Sequence, residues 1–329
     1  MLDYSVETRG PNSQDESMVD DGDTAFRIEW DQLPHDVRIG IERRLGSTVV
    51  RADGQQTGFS HGMAARLLPA DGSRVFVKAI RADDELAGMY RREAAIAARL
   101  PESLPAARCR FEMTVADWFV SAFEDVAGAQ PRLADPGELA DVLRTVQRLA
   151  ETLTPCPLGD IPEIAAEMES EFTGWRGFAK SGAPADLDDW SVRNLDRLAE
   201  LEARWSAGVR GETLLHADLS PGNLVRRPNG EVVVVDWAWA CRGAAWVDLI
   251  LLAPYFAACG VDPEPIVAGH PVTEDVDPAE IDALVCALAG YWAVNSRRQS
   301  PARSPHLRAH QARFARLARD WFRRRVDWV

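Results

Sequence analysis

Residues 214–237 restrict the fold of this 329-residue chain more than any other stretch. Two β-rich runs lie on either side of the pair Asn229-Gly230. An Asn-Gly pair between such runs is a strong signal for a β-hairpin. The stretch therefore predicts two antiparallel strands with polar residues at their open end.

The expected register of this hairpin brings two oxygen-bearing side chains together. Counting outward from a two-residue turn places Asn223 opposite Asp236. Directly opposed residues project from the same face, with β-carbons about 4.5–5.5 Å apart. Amide and carboxylate oxygens are hard ligands that Mg²⁺ prefers, and coordination positions remain for phosphate and water. The hairpin therefore predicts a site for a magnesium-bound nucleotide.

Two more polar residues precede the hairpin. Asp218 lies in a loop interrupted by Ser220-Pro221-Gly222. A carboxylate there can accept or orient the proton of a hydroxyl that attacks a phosphoryl group. His216 could act as a general base, but we expect its imidazole to brace the loop through hydrogen bonds.

Lysine usage marks another candidate. Only Lys78 and Lys180 are lysine among the 37 basic residues. Lys78 follows an apolar run, and a compact ammonium fits between phosphate oxygens where the planar fork of arginine does not. We therefore expect Lys78 to have a functional role.

Residues 58–62 spell G-x-S-x-G, the pattern of a hydrolase nucleophile elbow. An elbow needs a buried strand, a sharp turn and a helix, whereas polar residues precede Ser60 and two predicted strands around Asp71-Gly72 follow it. A serine hydrolase is therefore a minor alternative. Replacing Ser60 by alanine would abolish a hydrolase but only weaken nucleotide binding by a kinase.

With these residues in place, the chain resembles the aminoglycoside phosphotransferase and choline kinase-like group, which has the protein-kinase-like fold. The run from His216 through Asp218 to Asn223 looks like its H-x-D-x-x-x-x-N catalytic loop, and Asp236 occupies the position of the Asp-Phe-Gly aspartate. The resemblance implies that Asp218 is the catalytic base and that Asn223 and Asp236 bind magnesium. It also implies that Asp248 supports the catalytic loop.

The same resemblance assigns the nucleotide contacts of the N-terminal half. Gly58 and Ser60 would belong to the turn over the phosphates, and Lys78 would contact the α- and β-phosphates. Its partner should be Glu93 on the next helix, with Glu85 as the competing choice. A strand that leads into an acidic connector resembles the hinge between two lobes, where the backbone between Phe123 and Val126 would meet adenine.

The predicted fold class is α+β, with a small antiparallel-sheet N-lobe and a larger, mostly helical C-lobe. We expect a disordered acidic tail over 1–28, an N-lobe over 29–125, and a C-lobe over 126–329 that holds the catalytic loop and the acceptor site. Apolar periodicity predicts helices over 138–153, 188–205, 278–295 and 305–329. The last should be an amphipathic helix with a solvated basic face.

The expected enzyme is a small-molecule kinase. It would transfer the γ-phosphoryl group of ATP, with GTP as an open alternative, to a hydroxyl of an antibiotic or a biosynthetic intermediate. Ala217 replaces the arginine that reads activation-loop phosphate in many protein kinases, which disfavours a protein acceptor. A cationic acceptor is an open option, because acidic residues that could meet it occur at Glu163, Glu167, Glu169, Glu171 and 186–189. A solvated helix face explains these residues equally well. A kinase-like binding module and a protein-directed kinase are the alternatives.

Composition narrows the partners and the compartment. The net charge of −14 disfavours nucleic acid, and the longest apolar stretch is too short and too interrupted to span a membrane. The N-terminus lacks the features of a secretory signal. The five cysteines are scattered without metal-site spacing. We therefore expect a cytoplasmic monomer or homodimer.

Overall fold

The computed structural model describes residues 27–55, 60–301 and 304–329. It confirms the α+β class: a five-stranded antiparallel sheet is followed by a mostly helical remainder. Gly58 lies outside the described residues. Among the residues described, no helix combines the length and the apolarity needed to cross a membrane.

The sheet has the strand order β1-β2-β3-β5-β4. Its strands are β1 (Val49–Gly54), β2 (Met63–Pro69), β3 (Val75–Arg81), β4 (Cys109–Val115) and β5 (Trp118–Glu124). Two short strand pairs lie further along the chain: β6 (Thr213–Leu215) pairs with β9 (Cys241–Gly243), and β7 (Leu224–Arg226) pairs with β8 (Val232–Val234).

Twelve α-helices occur in the described residues. They are α1 (His35–Leu45), α2 (Ala87–Ala97), α3 (Pro136–Thr152), α4 (Ile164–Glu167), α5 (Gly174–Ser181), α6 (Asp189–Arg193), α7 (Leu195–Glu202), α8 (Trp205–Gly208), α9 (Val247–Ala258), α10 (Pro263–Gly269), α11 (Pro278–Asn295) and α12 (Leu307–Arg325).

Strand alternation gives β3 two different apolar faces. Val75, Val77 and Ala79 join a core with Trp30 and α1, whereas Phe76 and Ile80 join a core with α2. Successive side chains of a strand point to opposite faces, so Lys78 shares the α2 face. The strand thereby directs its lysine toward the helix that carries Glu93.

The helical remainder packs around α11, which is buried on nearly every side and contacts α12, α7, α8 and α5. Asp277 caps its first turn by accepting a hydrogen bond from the Ala279 backbone N–H. Because α11 and α12 pack against each other and α12 also packs on α9, these three helices form one wall of the molecule.

Two helix predictions are corrected. The helix expected over 188–205 is two short helices, α6 and α7, followed by the start of α8. The buried Asn194 separates α6 from α7, because it leaves helical geometry and its side-chain amide donates to the Trp190 carbonyl. The basic face of α12 is also not simply solvated. The side chain of Arg325 is only 8% exposed and lies 2.6 Å from both Glu264 and Asp282.

The predicted register of the β7–β8 hairpin is wrong by one residue. Arg226 pairs with Val232, because the loop contains three residues rather than two and Gly230 takes the left-handed conformation at φ +87°. The Val235 N–H donates to the Asn223 carbonyl, so Val235, not Asp236, follows Asn223 in the ladder. Asn223 and Asp236 therefore do not form an opposed strand pair.

Candidate active site

The loop after β6 is held by the carboxylate of Asp248 in the first turn of α9. Its two oxygens accept hydrogen bonds from the backbone N–H groups of His216 and Ala217, both at 2.8 Å. Ala217 has a φ of +61°, which is unfavourable for a residue with a Cβ. The buried Asp248 therefore holds the loop in a conformation that it would not adopt alone.

His216 is a fully buried link between this loop and the hairpin. Its Nε2 lies 2.9 Å from the Val235 carbonyl oxygen, and its Nδ1 accepts a hydrogen bond from the Asp218 N–H at 3.3 Å. The ring packs edge-on against Trp237 at 4.8 Å. Burial lowers the pKa of His216. A neutral imidazole with both nitrogens engaged by backbone groups suits a brace better than a base.

Asp218 and Asn223 face each other within the loop. The Asn223 amide donates to the backbone carbonyl of Asp218 at 2.8 Å and to its Oδ2 at 3.1 Å. Burial, together with the nearby charge of Asp236, raises the pKa of Asp218 to about 7. The structure thus brings Asp218, Asn223 and Asp236 to one cavity.

Lys78 lies between two carboxylates. Its Nζ is 2.8 Å from both oxygens of Glu93 and 3.1 Å from Oδ2 of Asp236. Although burial opposes the charged form, Asp236 and Glu93 raise the pKa of Lys78, so the ammonium stays protonated. Glu93, rather than Glu85, is the glutamate that meets the lysine.

The strained backbone of Asp236 directs its carboxylate toward Lys78. Four non-glycine residues of the described part have a positive φ, and two of them, Ala217 and Asp236, belong to this site. The Asp236 side chain remains 41% exposed to the cavity. Such backbone outliers cluster where a side chain must be held in a set position.

The turn before β2 brings Ser60 to the cavity. Ser60 Oγ accepts a hydrogen bond from the Tyr90 hydroxyl at 3.2 Å. After Ser60 come His61 and Gly62 and then directly the strand β2, so Ser60 does not lie at a strand-to-helix elbow. This arrangement gives no support to the hydrolase reading.

Gly62 is required by close packing. A Cβ at this position would lie 2.5 Å from the Tyr90 hydroxyl oxygen and 2.7 Å from the Ala79 carbonyl oxygen. We expect Gly62→Ala to lower the free energy of unfolding by about 1–3 kcal/mol in urea titration, because backbone must shift. The matched control is Gly88→Ala, where a Cβ meets nothing within 4 Å. Equal stability of Gly62→Ala and wild type would contradict this packing.

An apolar slot lies beside the connector after β5. Phe123 is packed against α2, while Val126 packs with Ala107 and the hairpin residues Val225 and Val235. All of these residues line the same cavity of ≈ 840 Å³ as Lys78 and Asp218. Apolar side chains line this slot, which suits the faces of an adenine ring.

Two groups of cavity residues were not predicted. Arg27, assigned to the acidic tail, lines the cavity, and its guanidinium interacts electrostatically with Tyr90, Asp236 and Glu93. It is held there because Ile28 and Trp30 pack on the sheet core. The second group consists of aromatic residues from the 3₁₀ turn at Trp237–Trp239 and from the helices α9, α11 and α12.

The acidic residues proposed for the acceptor are only partly at the cavity. Glu167 and Glu171 line it, whereas Glu163, Glu169 and the residues 186–189 are not among its lining residues. Glu163 instead pairs with Arg242 at 2.9 Å, and Asp188 caps α6 and pairs with Arg319 at 2.7 Å.

Solved structures share this fold at low sequence identity. The chain matches the amicoumacin kinase hAmiN, solved with AMP-PNP, Ca²⁺ and Ami, with a TM-score of 0.56 and 14% identity over 90% of this chain and 96% of that one. It matches choline kinase LicA from Streptococcus pneumoniae with a TM-score of 0.57 and 14% identity, over 88% and 98% of the two chains. Spectinomycin phosphotransferase APH(9)-Ia matches with a TM-score of 0.55 and 11% identity, over 87% and 97%. The fold is therefore that of the kinase-like phosphotransferases.

The amino-acid sequence identifies the protein family as well as the fold. Residues 56–269 match the APH model, described as the phosphotransferase enzyme family. The chain belongs to this family, which confirms the resemblance and the enzyme class predicted from the sequence. No curated protein sequence gives a significant match.

Proposed function

We propose that the protein transfers the γ-phosphoryl group of ATP to a hydroxyl of a small molecule. The observation that carries this proposal is a single cavity that holds both a buried Lys78–Glu93 pair and, across from it, Asp218 in a braced loop. A protonated lysine suits the phosphates of a nucleotide, and a carboxylate suits the proton of an acceptor hydroxyl. The apolar slot at Phe123 and Val126 would take the adenine.

The residues at the hairpin suit a divalent cation. Asn223 and Asp236 offer an amide and a carboxylate oxygen at the same cavity, and such hard oxygens are what Mg²⁺ binds together with nucleotide phosphates. When bound there, Mg²⁺ would neutralise charge on the phosphate oxygens. AMP-PNP and Ca²⁺ in the hAmiN structure support a nucleotide with a divalent cation as the ligand.

The chain's own residues would then have separate tasks. Asp218 would orient the acceptor hydroxyl and take its proton as the oxygen attacks phosphorus. Glu93 would hold Lys78 in position for the phosphates, and Asp248 and His216 would fix the loop that presents Asp218. The expected compartment is the cytoplasm, where ATP and small hydroxylated metabolites occur together.

The direct test is ATP consumption by the purified protein with Mg²⁺, measured against a panel of hydroxylated antibiotics and metabolites. We expect ADP release to rise with particular acceptors and to remain low without them. In parallel, calorimetry measures the binding of AMP-PNP to the protein in the presence of Mg²⁺. A protein that binds no nucleotide under these conditions would overturn the proposal.

Arg27 should contribute to nucleotide binding. Because its guanidinium lies near Asp236 and Glu93 at the phosphate side of the cavity, we expect Arg27→Gln to weaken AMP-PNP binding roughly tenfold. The matched control is Arg51→Gln, since the side chain of Arg51 is 59% exposed and pairs with Asp53 on the surface. Unchanged affinity in Arg27→Gln would show that this arginine has no role in binding.

A further inference from the structure

The cavity continues past Asp218 into a region walled by the C-terminal helices. The family match ends at residue 269, whereas α11 and α12 begin at Pro278 and Leu307. The residues that α11 and α12 supply therefore lie outside the family match, which covers only the rest of this wall. Its large ring-bearing residues are Phe172, Trp239, Tyr255, Tyr291, Trp292 and His310.

These rings form a connected surface. Tyr291 lies 5.7 Å from Phe172 and 6.5 Å from Trp292, measured between ring centroids. Trp292 and Tyr255 both pack on Phe314, at 5.3 Å and 4.5 Å. Rings that support one another in this way present a firm apolar face to whatever enters the cavity.

Trp239 adds an exposed ring to the lining of the same cavity. Its side chain lines the cavity and is 50% exposed, although most tryptophans of the described chain are buried. It lies three residues after Asp236, so it is close to the reacting end of the cavity. A large exposed aromatic residue at a cavity mouth is a common ligand contact.

Tyr291 connects the aromatic surface to the catalytic loop. Besides burial, the charges of Glu171 and Asp218 raise the pKa of Tyr291, which places its hydroxyl within electrostatic reach of both carboxylates. Tyr291 and Asp218 also line the same cavity, so a ring-bearing molecule that presents a hydroxyl to Asp218 shares that cavity with the ring of Tyr291.

The other carboxylates of the cavity already have cationic or N–H partners in the described part of the chain. Glu167 lies 3.1 Å from Arg92, and Glu171 lies 4.0 Å from Arg298. Near the connector, Asp125 pairs with two arginines and Glu124 accepts a backbone N–H. An amino sugar with several ammonium groups would have to compete with these arginines for each carboxylate. Five of the cavity carboxylates, Glu93, Asp125, Glu167, Glu171 and Asp236, thus lie within 4.0 Å of a cationic side chain. Within the described residues, Asp218 and Glu124 are the cavity carboxylates without such an ion pair.

We infer that the acceptor is a hydroxylated molecule whose bulk is apolar and ring-bearing, and that it packs against Trp239 and Tyr291. A polycationic amino sugar is not the acceptor. This inference rests on the proposed function, because it takes Asp218 as the point to which the hydroxyl is presented.

The test uses N-phenyl-1-naphthylamine, a neutral two-ring dye that fluoresces in apolar sites. It is titrated into full-length protein saturated with Mg²⁺ and AMP-PNP, so that the nucleotide side of the cavity is occupied. We expect saturable binding, about tenfold weaker in Trp239→Ala and in Tyr291→Ala. The control is Val192→Ala, an exposed apolar residue outside the cavity, which should bind as wild type does.

Kanamycin is the second probe, because it is a polycationic amino sugar of the kind that the inference excludes as an acceptor. We expect it neither to displace the dye nor to give binding heat in calorimetry. Competitive displacement by kanamycin, or dye binding that is not saturable or is unaffected in both variants, would overturn the inference. AMP-PNP binding is measured separately without dye, so a failure of the nucleotide site is distinguished from a failure of the aromatic acceptor site.

Discussion

Asp218→Asn is expected to lower kcat by about 10²–10⁴-fold while nucleotide affinity stays near that of wild type. The carboxylate is the group placed to take the hydroxyl proton, and asparagine has the same shape but cannot accept that proton. Its side-chain oxygen can still accept the hydrogen bond from Asn223, so the loop should keep its geometry. Steady-state ADP release with a saturating acceptor, and calorimetry with AMP-PNP, measure the two quantities.

The control for this variant is Asp83→Asn, because the Asp83 side chain is 70% exposed and pairs with Arg81 on the surface. Its kcat should equal that of wild type. If Asp218→Asn kept more than a small part of the wild-type kcat, proton acceptance by this residue would not be part of the reaction.

Asp248→Asn is expected to reduce both stability and turnover. The carboxylate accepts two backbone N–H groups at 2.8 Å, whereas an asparagine amide would direct an NH₂ group at one of them. A buried N–H left without an acceptor, next to a confronting donor, costs on the order of 3 kcal/mol. Ala217 would then lose the contact that maintains its positive φ, and Asp218 would no longer be held in place.

Urea unfolding monitored by tryptophan fluorescence tests this cost, and kcat reports the displacement of Asp218. Asp186→Asn is the matched control, since Asp186 is 71% exposed and pairs with Arg297 at the surface. A variant at Asp248 with wild-type stability and wild-type turnover would show that the loop does not depend on this carboxylate.

The local part of the site could be predicted from sequence because its residues lie in one short stretch. His216, Asp218 and Asn223 occur within eight positions, and Asp236 and Asp248 follow soon after. Lys78 could be predicted because lysine is almost absent from the rest of the chain. Side chains alternate between the two faces of β3, which explains why Lys78 faces α2. The exact register of the hairpin was not predictable from the Asn-Gly pair, because the same pair fits both a two-residue and a three-residue loop.

Other parts of the site depend on tertiary packing and leave little trace in the sequence. Arg27 falls within the predicted acidic tail, and the packing of Ile28 and Trp30 on the sheet core brings it to the cavity. The aromatic wall is assembled from α9, α11 and α12, whose residues are far apart in the chain. The sequence also did not show that Glu167 pairs with Arg92 and Glu171 with Arg298, because these arginines are distant from the two glutamates in the chain.

The most direct test of the central claim follows the γ-phosphoryl group itself. Protein and γ-labelled ATP with Mg²⁺ are incubated with the low-molecular-mass fraction of a cell extract, and wild type is compared with Asp218→Asn. We predict label in an organic phosphomonoester that forms with wild type and not with the variant. Label found only in inorganic phosphate or on protein, with no labelled small molecule, would contradict the assignment of this site to small-molecule phosphorylation.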